Sequence, residues 1–288
     1  MKFMLPSSNA RVLFQGITHS TAAVHVEKAI IHGTNIVGGV SHEKGVKDFL
    51  GVPVFQTVKT AVKNTKPTIC VVFSSPSRVY DDVKEVAKEK IPLIICTTEH
   101  VALHDALRLR QLAEKYKVCI LGPASSGVVV PESCVAGTMP AHLFKKGNVA
   151  ILARSSSLAY EAVQKLAAID RGISACVALG TNGILCCSFV PVLTALAADK
   201  KTSEILVIGE GEGPFEFELA EAYRSLKKKK KLIVYLVGGT LTDGPALHLI
   251  GKENKIPAEW VDLKEKALQK AGAVVIRDLD KLNDLMEK

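Results

Sequence analysis

Arg11-Val-Leu-Phe-Gln-Gly-Ile-Thr-His-Ser-Thr21 is the stretch of the chain that decides its fold. The apolar run predicts a buried strand that ends at Gly16, and a helix is predicted to begin at about Ala22. In such units, ligands bind beyond the carboxyl end of the strand, where the first N–H groups of the helix attract anions. Gly16, Thr18, Ser20 and Thr21 suit a phosphate or pyrophosphate. Only the first glycine of GxGxxG is present, so a nucleotide-like ligand and a purely structural turn both remain open.

Short apolar runs alternate with helical patterns from one end of the chain to the other. Unbroken apolar runs are typical of strands buried on both faces of a parallel sheet. Strand–helix alternation predicts an α/β fold built from right-handed βαβ units. The predicted strands are 11–17, 35–40, 68–73, 93–98, 118–121, 148–153, 174–179, 204–208, 232–237 and 273–276.

One irregular stretch interrupts this alternation and predicts a domain boundary. Residues 122–147 contain Pro123, Pro131, Pro140 and several glycines, which are typical of connecting segments. We expect a Rossmann-type domain over residues 1–125, a connecting segment over 126–147 and a flavodoxin-like, doubly wound domain over 148–288.

Composition excludes several classes of protein. The net charge of +8 includes five lysines at 227–231, and the remaining +3 is ordinary, so nucleic-acid binding is not predicted. The lysine run fits either a solvated helix end or a site for an acidic partner or polyphosphate. No apolar run reaches the length of a membrane span, and the first ten residues do not resemble a secretory signal.

The seven cysteines predict a reduced interior rather than a disulfide framework, because their number is odd and several lie in apolar runs. Cys186 and Cys187 are adjacent, which is not a CxxC spacing, and no metal site is predicted.

Several short elements occur in order along nearly the whole chain. They are Gln15-Gly-Ile-Thr-His-Ser, His32-Gly-Thr-Asn-Ile-Val-Gly-Gly-Val40, Leu50-Gly-Val-Pro-Val-Phe55, Ile94-Ile-Cys-Thr-Thr-Glu99, Gly122-Pro123, Ala153-Arg-Ser-Ser-Ser-Leu-Ala-Tyr-Glu161 and Val207-Ile-Gly-Glu210. They resemble the motifs QGFTG(S/K)QG, YGTxxVGGVxPxKGG, LGLPVF, LIIxITEG, GPNCPG, SRSGTLTYE and MIGE. These motifs belong to the α-subunits of succinyl-CoA synthetase.

The resemblance implies a coenzyme A (CoA) site in the N-terminal domain. In that family the first βα turn holds CoA phosphates, and the KGG lysine and the ITE element also contact CoA. The implied CoA-binding residues are Thr18, His19, Ser20, Thr21, Lys44, Thr97, Thr98 and Glu99.

The resemblance also implies phosphoryl transfer through a histidine. His248 corresponds to the family's phosphorylated histidine and Glu210 to the glutamate that orients it. Tyr160 corresponds to a substrate-site residue, and the helix start at Ser155, Ser156 and Ser157 would receive the phosphoryl group. The implied partner is a β-subunit, in an αβ or α2β2 assembly, that holds ATP or GTP with Mg. The implied location is the mitochondrial matrix or the cytoplasm, not the secretory route.

The sequence departs from the family's motifs where phosphate would be handled. The histidine loop reads Gly244-Pro-Ala-Leu-His-Leu-Ile-Gly251, GPNCPG has become residues 122–127, and the GGDP(I/V)PG loop has become residues 180–186. A second hypothesis is therefore a non-catalytic, CoA-binding paralogue that acts as an assembly or regulatory subunit. A third, an NAD-dependent dehydrogenase, is disfavoured by the incomplete GxGxxG and by a second strand that ends without an acidic residue.

Overall fold

A computed structural model describes residues 2–211, 213–237 and 258–286, apart from the side chains at 258 and 259. The chain divides into two compact units. The N-terminal unit comprises Met1–Phe144 and Val177–Cys187, and the C-terminal unit comprises Lys145–Cys176 and Ser188–Lys288.

The N-terminal unit is built around a sheet of parallel βαβ units. Its strands are β1 (Val12–Gln15), β2 (Ile36–Val40), β3 (Asp48–Phe49), β4 (Val52–Phe55), β5 (Ile69–Val72), β6 (Leu93–Cys96) and β7 (Cys119–Leu121), followed by a hairpin of β8 (Gly127–Val130) and β9 (Cys134–Gly137). Its helices are α1 (Ala22–Ile31), α2 (Val58–Thr65), α3 (Val79–Lys88) and α4 (Leu103–Tyr116).

The order of this sheet creates a point where ligands bind in α/β proteins. The order is β3-β4-β2-β1-β5-β6-β7, and the pairs are parallel except β3–β4. From β1 the chain first moves outward through β2 to β4 and then returns to β5 on the other side of β1. The carboxyl ends of β1 and β5 therefore flank a topological switch point, which confirms the Rossmann-type fold.

The stretch predicted as a connecting segment contains regular structure. β8 and β9 form a buried antiparallel hairpin, with Gly127 opposite Gly137. The backbones of the two strands approach closely at these glycines. A Cβ added to Gly127 would lie 2.0 Å from the carbonyl oxygen of Ala136, so a larger residue does not fit there. Part of the glycine content of this stretch thus serves close approach in a hairpin.

The C-terminal unit has the strand order of flavodoxin-like proteins. Its strands are β10 (Lys146–Ala153), β11 (Ile173–Ala178), β12 (Glu204–Glu210), β13 (Lys231–Val237) and β14 (Val274–Ile276). The last two residues of β11 belong to the segment Val177–Cys187 of the N-terminal unit. Its helices are α5 (Ser156–Ala168), α6 (Phe189–Ala198), α7 (Phe215–Ser225), α8 (Ala258–Ala271) and α9 (Lys281–Met286). The order β11-β10-β12-β13-β14 places the switch point between the carboxyl ends of β10 and β12. Among the described helices of both units, none combines the length and apolarity that a bilayer crossing requires.

The lysine run holds the carboxyl ends of other helices. Lys229 Nζ donates to the carbonyl of Ala271 at 3.1 Å, Lys230 Nζ to that of Leu196 at 3.1 Å, and Lys231 Nζ to that of Leu285 at 2.6 Å. Unpaired carbonyls and the negative end of the dipole make helix C-termini favourable for cations. Three of the five lysines therefore serve the fold, and α7 ends at Ser225, just before the run.

All seven cysteines lie in the described part of the chain as buried free thiols. Burial raises the pKa of Cys96, Cys134 and Cys176 to about 12. Since the thiolate is the reactive form, we expect iodoacetamide at about pH 8 to leave the native protein unmodified. Intact-mass spectrometry should show seven alkylations after denaturation in urea, and rapid labelling of the native chain would contradict this expectation.

Candidate functional site

The turn after β1 is shaped by a glycine that cannot be replaced without a clash. Gly16 has a φ of 76°, and a Cβ at this position would lie 2.1 Å from the carbonyl oxygen of Phe73. The turn continues with hydrogen bonds from His19 N to the Gly16 carbonyl at 2.9 Å and from Ala22 N to the His19 carbonyl at 2.8 Å. The backbone at the carboxyl end of β1 is therefore held close to that of β5.

Hydroxyl groups gather at this end of the sheet. Thr18 Oγ1 lies 2.7 Å from Ser41 Oγ, which follows β2, and His19 Nδ1 lies 3.0 Å from Thr21 Oγ1. Thr21 precedes α1 but makes no side-chain cap. Ala22 N is hydrogen-bonded to the His19 carbonyl, so the N–H groups that follow it in the first turn are those that can attract an anion. The side chains after β1 and β2 thus form one polar group.

Gln15 adds a buried polar atom to this group. The residue is 1% exposed, and its Oε1 has no hydrogen-bond partner among the residues that the structure describes. A buried amide oxygen without a partner is costly and indicates a missing donor. Together with the turn and the helix terminus, this atom fits a ligand that carries both phosphate and hydrogen-bond donors, as CoA does.

The predicted CoA residues after β6 lie at the same edge of the sheet. The hydroxyl of Thr97 donates to the carbonyl of Val72, and that of Thr98 to the carbonyl of Ser74, both at 2.9 Å. Their hydroxyl protons are therefore engaged by the end of β5, and only their oxygen lone pairs face other partners. Glu99 is exposed, as are Ser20 and, beyond β2, Lys44.

Two of the divergent loops lie against each other within the N-terminal unit. Cys186 N, in the second of these loops, donates to the carbonyl of Gly122, in the first, at 3.1 Å. Residues 122–127 and 180–186 are those that replace GPNCPG and GGDP(I/V)PG. Their departures from the family pattern are therefore in contact with each other.

The switch point of the C-terminal sheet holds a buried ion pair. Arg154 follows β10, Glu210 ends β12, and Arg154 Nη1 lies 2.8 Å from Glu210 Oε2. Arg154 is 1% exposed and Glu210 is 3% exposed. The guanidinium also lies over the ring of Phe215, 5.0 Å from its centroid. The predicted orienting carboxylate is thus held between a cation and the sheet.

A second buried ion pair, between Lys264 and Glu216, forms hydrogen bonds with the backbone of Glu210. Lys264 Nζ donates to the Glu210 carbonyl at 2.8 Å and to Glu216 Oε2 at 2.6 Å, and Glu216 Oε1 accepts from Glu210 N at 3.0 Å. Burial raises the pKa of Glu216 and lowers that of Lys264, while the charge of each partner opposes these shifts. Both polar groups of the Glu210 backbone are therefore fixed by side chains of α7 and α8.

The remaining predicted residues lie at the start of α5 or outside the described residues. Ser155 is the N-cap of α5, and its Oγ accepts from Leu158 N at 3.5 Å. Ser156 and Tyr160 are half-buried on α5 and Ser157 is exposed. Arg154 directly precedes Ser155, so Glu210 and the start of α5 lie near each other. His248 and its loop fall outside the described residues.

Comparisons with known proteins show the family of this chain. Residues 7–100 match the family described as CoA binding domain, and residues 146–288 match the succinyl-CoA ligase like flavodoxin domain. A succinate–CoA ligase (ADP-forming) subunit alpha 2 from Archaeoglobus fulgidus is 33% identical over 272 residues, which cover 94% of each chain. The chain belongs to the succinate–CoA ligase α-subunit family. The alpha subunit from Staphylococcus aureus is 35% identical over 231 residues, which cover 80% of this chain and 76% of that one.

Solved structures support the same fold for this family member. An ATP citrate lyase from Methanosaeta concilii, solved with (3S)-citryl-CoA, superposes with a TM-score of 0.82 at 19% identity. The superposed residues make up 99% of this chain and 50% of the lyase chain. An acetyl-coenzyme A synthetase from Ca. Korarchaeum cryptofilum superposes with a TM-score of 0.77 at 18% identity. The superposed residues make up 95% of this chain and 59% of the synthetase chain. The chain thus spans 50% of the first and 59% of the second of these solved proteins, which share its fold.

Several residues of both sites were not predicted from the sequence. Arg154 lies in the SRS-like element, but an arginine in a motif does not reveal its partner. Glu216 and Lys264 are 48 positions apart, on helices whose exposed faces also carry charges. Only Gln15 carried a signal, since it is a polar residue at the end of an otherwise apolar strand.

Proposed function

We propose that this chain is the α-subunit of an NDP-forming acyl-CoA ligase that interconverts succinyl-CoA, NDP and phosphate with succinate, CoA and NTP. It works with a β-subunit, in an αβ or α2β2 assembly in the matrix or the cytoplasm. The main support, in a chain of this family, is Glu210 held by Arg154 and Lys264 at the switch point of the C-terminal sheet.

The proposed chemistry divides one transfer into three steps. Phosphate attacks the thioester carbonyl and the C–S bond breaks. CoA departs as the leaving group, and the product is an acyl phosphate. His248 then attacks phosphorus, the bond to the acyl oxygen breaks, and the carboxylate leaves. The phosphoryl group finally passes to the NDP, which the β-subunit holds with Mg, and His248 is regenerated.

The residues of this chain supply binding and orientation for these steps. Neutral imidazole is nucleophilic near pH 7, and Glu210 accepts its ring N–H and fixes the tautomer. The first N–H groups of α5, after Ser155, receive the phosphoryl group. In the N-terminal unit, CoA phosphates lie at the turn of Thr18, His19, Ser20 and Thr21, with Lys44, Thr97, Thr98 and Glu99 at the same edge.

Phosphorylation by labelled ATP or GTP in the presence of the β-subunit tests the enzyme. We expect a label on this chain that is stable to base and labile to acid, as phosphohistidine is. His248→Ala should abolish the label, and Glu210→Gln should reduce it at least tenfold, because a neutral amide oxygen replaces the charged carboxylate and is a weaker acceptor for the ring N–H. His142→Ala, which changes a histidine of the N-terminal unit, is the control. A label that survives His248→Ala would contradict the proposal.

The alternative is a non-catalytic subunit that binds CoA, and the rewritten loops support it. Leucines flank His248 where the family has glycines, and the contacting loops at 122–127 and 180–186 have also changed. CoA binding measured by titration calorimetry, with no phosphohistidine formed, favours this alternative. Absence of CoA binding removes both.

A further inference from the structure

A hydrogen-bonded network centred on Asp82 lies at the carboxyl end of the N-terminal sheet. Asp82, in the first turn of α3, is 6% exposed, and its Oδ2 accepts from Ser74 Oγ. Its Oδ1 lies 3.4 Å from His42 Nε2 and 3.5 Å from Arg78 Nη2. One buried carboxylate thus ties together the loop after β2, the loop after β5 and the start of α3.

A contribution to stability alone does not explain why His42 and Arg78 pair with Asp82. The side chain of His42 is 49% exposed and that of Arg78 is 58% exposed, and exposed ion pairs contribute little to stability. A buried carboxylate nevertheless restrains both side chains, and restrained donors lose less conformational freedom when they bind an anion.

The position of His42 after β2 indicates which anion the two cations would bind. In Rossmann-type sites the residues after the second strand read the adenosine ribose: an acidic side chain accepts from a free hydroxyl, whereas a basic one accommodates a phosphate. His42 and Lys44 follow β2, and Arg78 joins His42 through Asp82. Glu43, the acidic residue in this loop, is exposed; its backbone N–H donates to Ser41 Oγ at 3.1 Å.

We propose that His42 and Arg78, both anchored on Asp82, recognise the phosphate on the adenosine ribose of CoA and make the chain prefer CoA to 3′-dephospho-CoA. This role presupposes the proposed function, because it requires CoA to bind at this end of the sheet. Asp82 lies beside His42 Nε2, so Nδ1 is the ring nitrogen that remains for the phosphate, and Arg78 adds a permanent cation with several donors. Asp82 is a positioning residue that acts through both.

Titration calorimetry of the full chain with CoA and with 3′-dephospho-CoA tests this role. We expect the wild-type chain to bind CoA about tenfold more tightly than dephospho-CoA, as one or two charge-assisted hydrogen bonds allow. His42→Asn and Arg78→Gln should each lower the affinity for CoA and leave that for dephospho-CoA unchanged. Asp82→Asn should also reduce the ratio of the two affinities, since both cations lose their anchor.

Arg110→Gln is a matched control, because Arg110 is 56% exposed and pairs with Glu114 across one helical turn, as Arg78 does with Asp82. For Arg110→Gln, the ratio of the affinities for CoA and 3′-dephospho-CoA should stay at the wild-type value. Equal wild-type affinities for the two ligands, or variants that weaken both alike, overturn the phosphate site and leave the proposed function intact. A chain that binds neither ligand overturns both. His42 and Arg78 variants alone decide the outcome if Asp82→Asn does not fold.

Discussion

Lys264→Met is expected to lower the free energy of unfolding of the C-terminal unit by about 3–5 kcal/mol, the usual cost of leaving one partner of a buried ion pair unpaired. Lys264 and Glu216 have fully buried side chains, so the remaining carboxylate cannot reach water. The Glu210 carbonyl also loses its donor. The single tryptophan, Trp260, lies in α8 in edge contact with Phe217, and its fluorescence in a urea titration should report the loss.

Two further variants separate charge from packing in this experiment. Glu216→Gln combined with Lys264→Met removes both charges and keeps an oxygen acceptor for Glu210 N, so it should recover a large part of the lost stability. Lys266→Met, at an exposed position of the same helix, should unfold like the wild-type chain. An unchanged urea midpoint for Lys264→Met would contradict the expected stabilisation by this ion pair.

Gly16→Ala is expected to destabilise the N-terminal unit and to abolish CoA binding. A Cβ at Gly16 meets the carbonyl oxygen of Phe73 at 2.1 Å, so the turn after β1 must move away from β5. The strained backbone and the clash together should cost about 3 kcal/mol or more. Thermal unfolding followed by circular dichroism, together with titration with CoA, measures both effects.

Gly33 offers a control with the same backbone conformation. Its φ is 73°, against 76° for Gly16, but a Cβ there would have no atom within 4 Å. Gly33→Ala should therefore show only the cost of the left-handed conformation, about 1–2 kcal/mol, with CoA affinity unchanged. Equal effects of the two substitutions would refute the steric explanation.

The fold could be predicted because its strands are buried on both faces. Runs such as those of β5 and β6 are apolar throughout, and the alternation with helices then leaves few topologies. The hairpin of β8 and β9 could not be predicted, since its glycines and Pro131 have the composition of a loop. The affiliation of Val177–Cys187 with the N-terminal unit depends on contacts that no local pattern encodes.

The candidate sites were predicted in part, and the limit has a physical cause. Hydroxyl residues after β1 and β6 follow from strand ends, because the carboxyl ends of parallel strands share one edge. The partners of Glu210 could not be predicted, since a buried ion pair joins positions that are distant in sequence and resemble surface charges. The position of His248 relative to Glu210 stays a prediction, because its loop lies outside the described residues.

The return of Val177–Cys187 to the N-terminal unit affects how the protein is made and how it can be divided. This segment supplies the carbonyl of Ala178 to Ser125 and the N–H of Cys186 to Gly122. During synthesis the N-terminal unit therefore stays incomplete until residue 187 has left the ribosome, and by then Lys145–Cys176 of the C-terminal unit has already been made. No single proteolytic cut can therefore release either unit whole, because each unit consists of two separate segments of the chain.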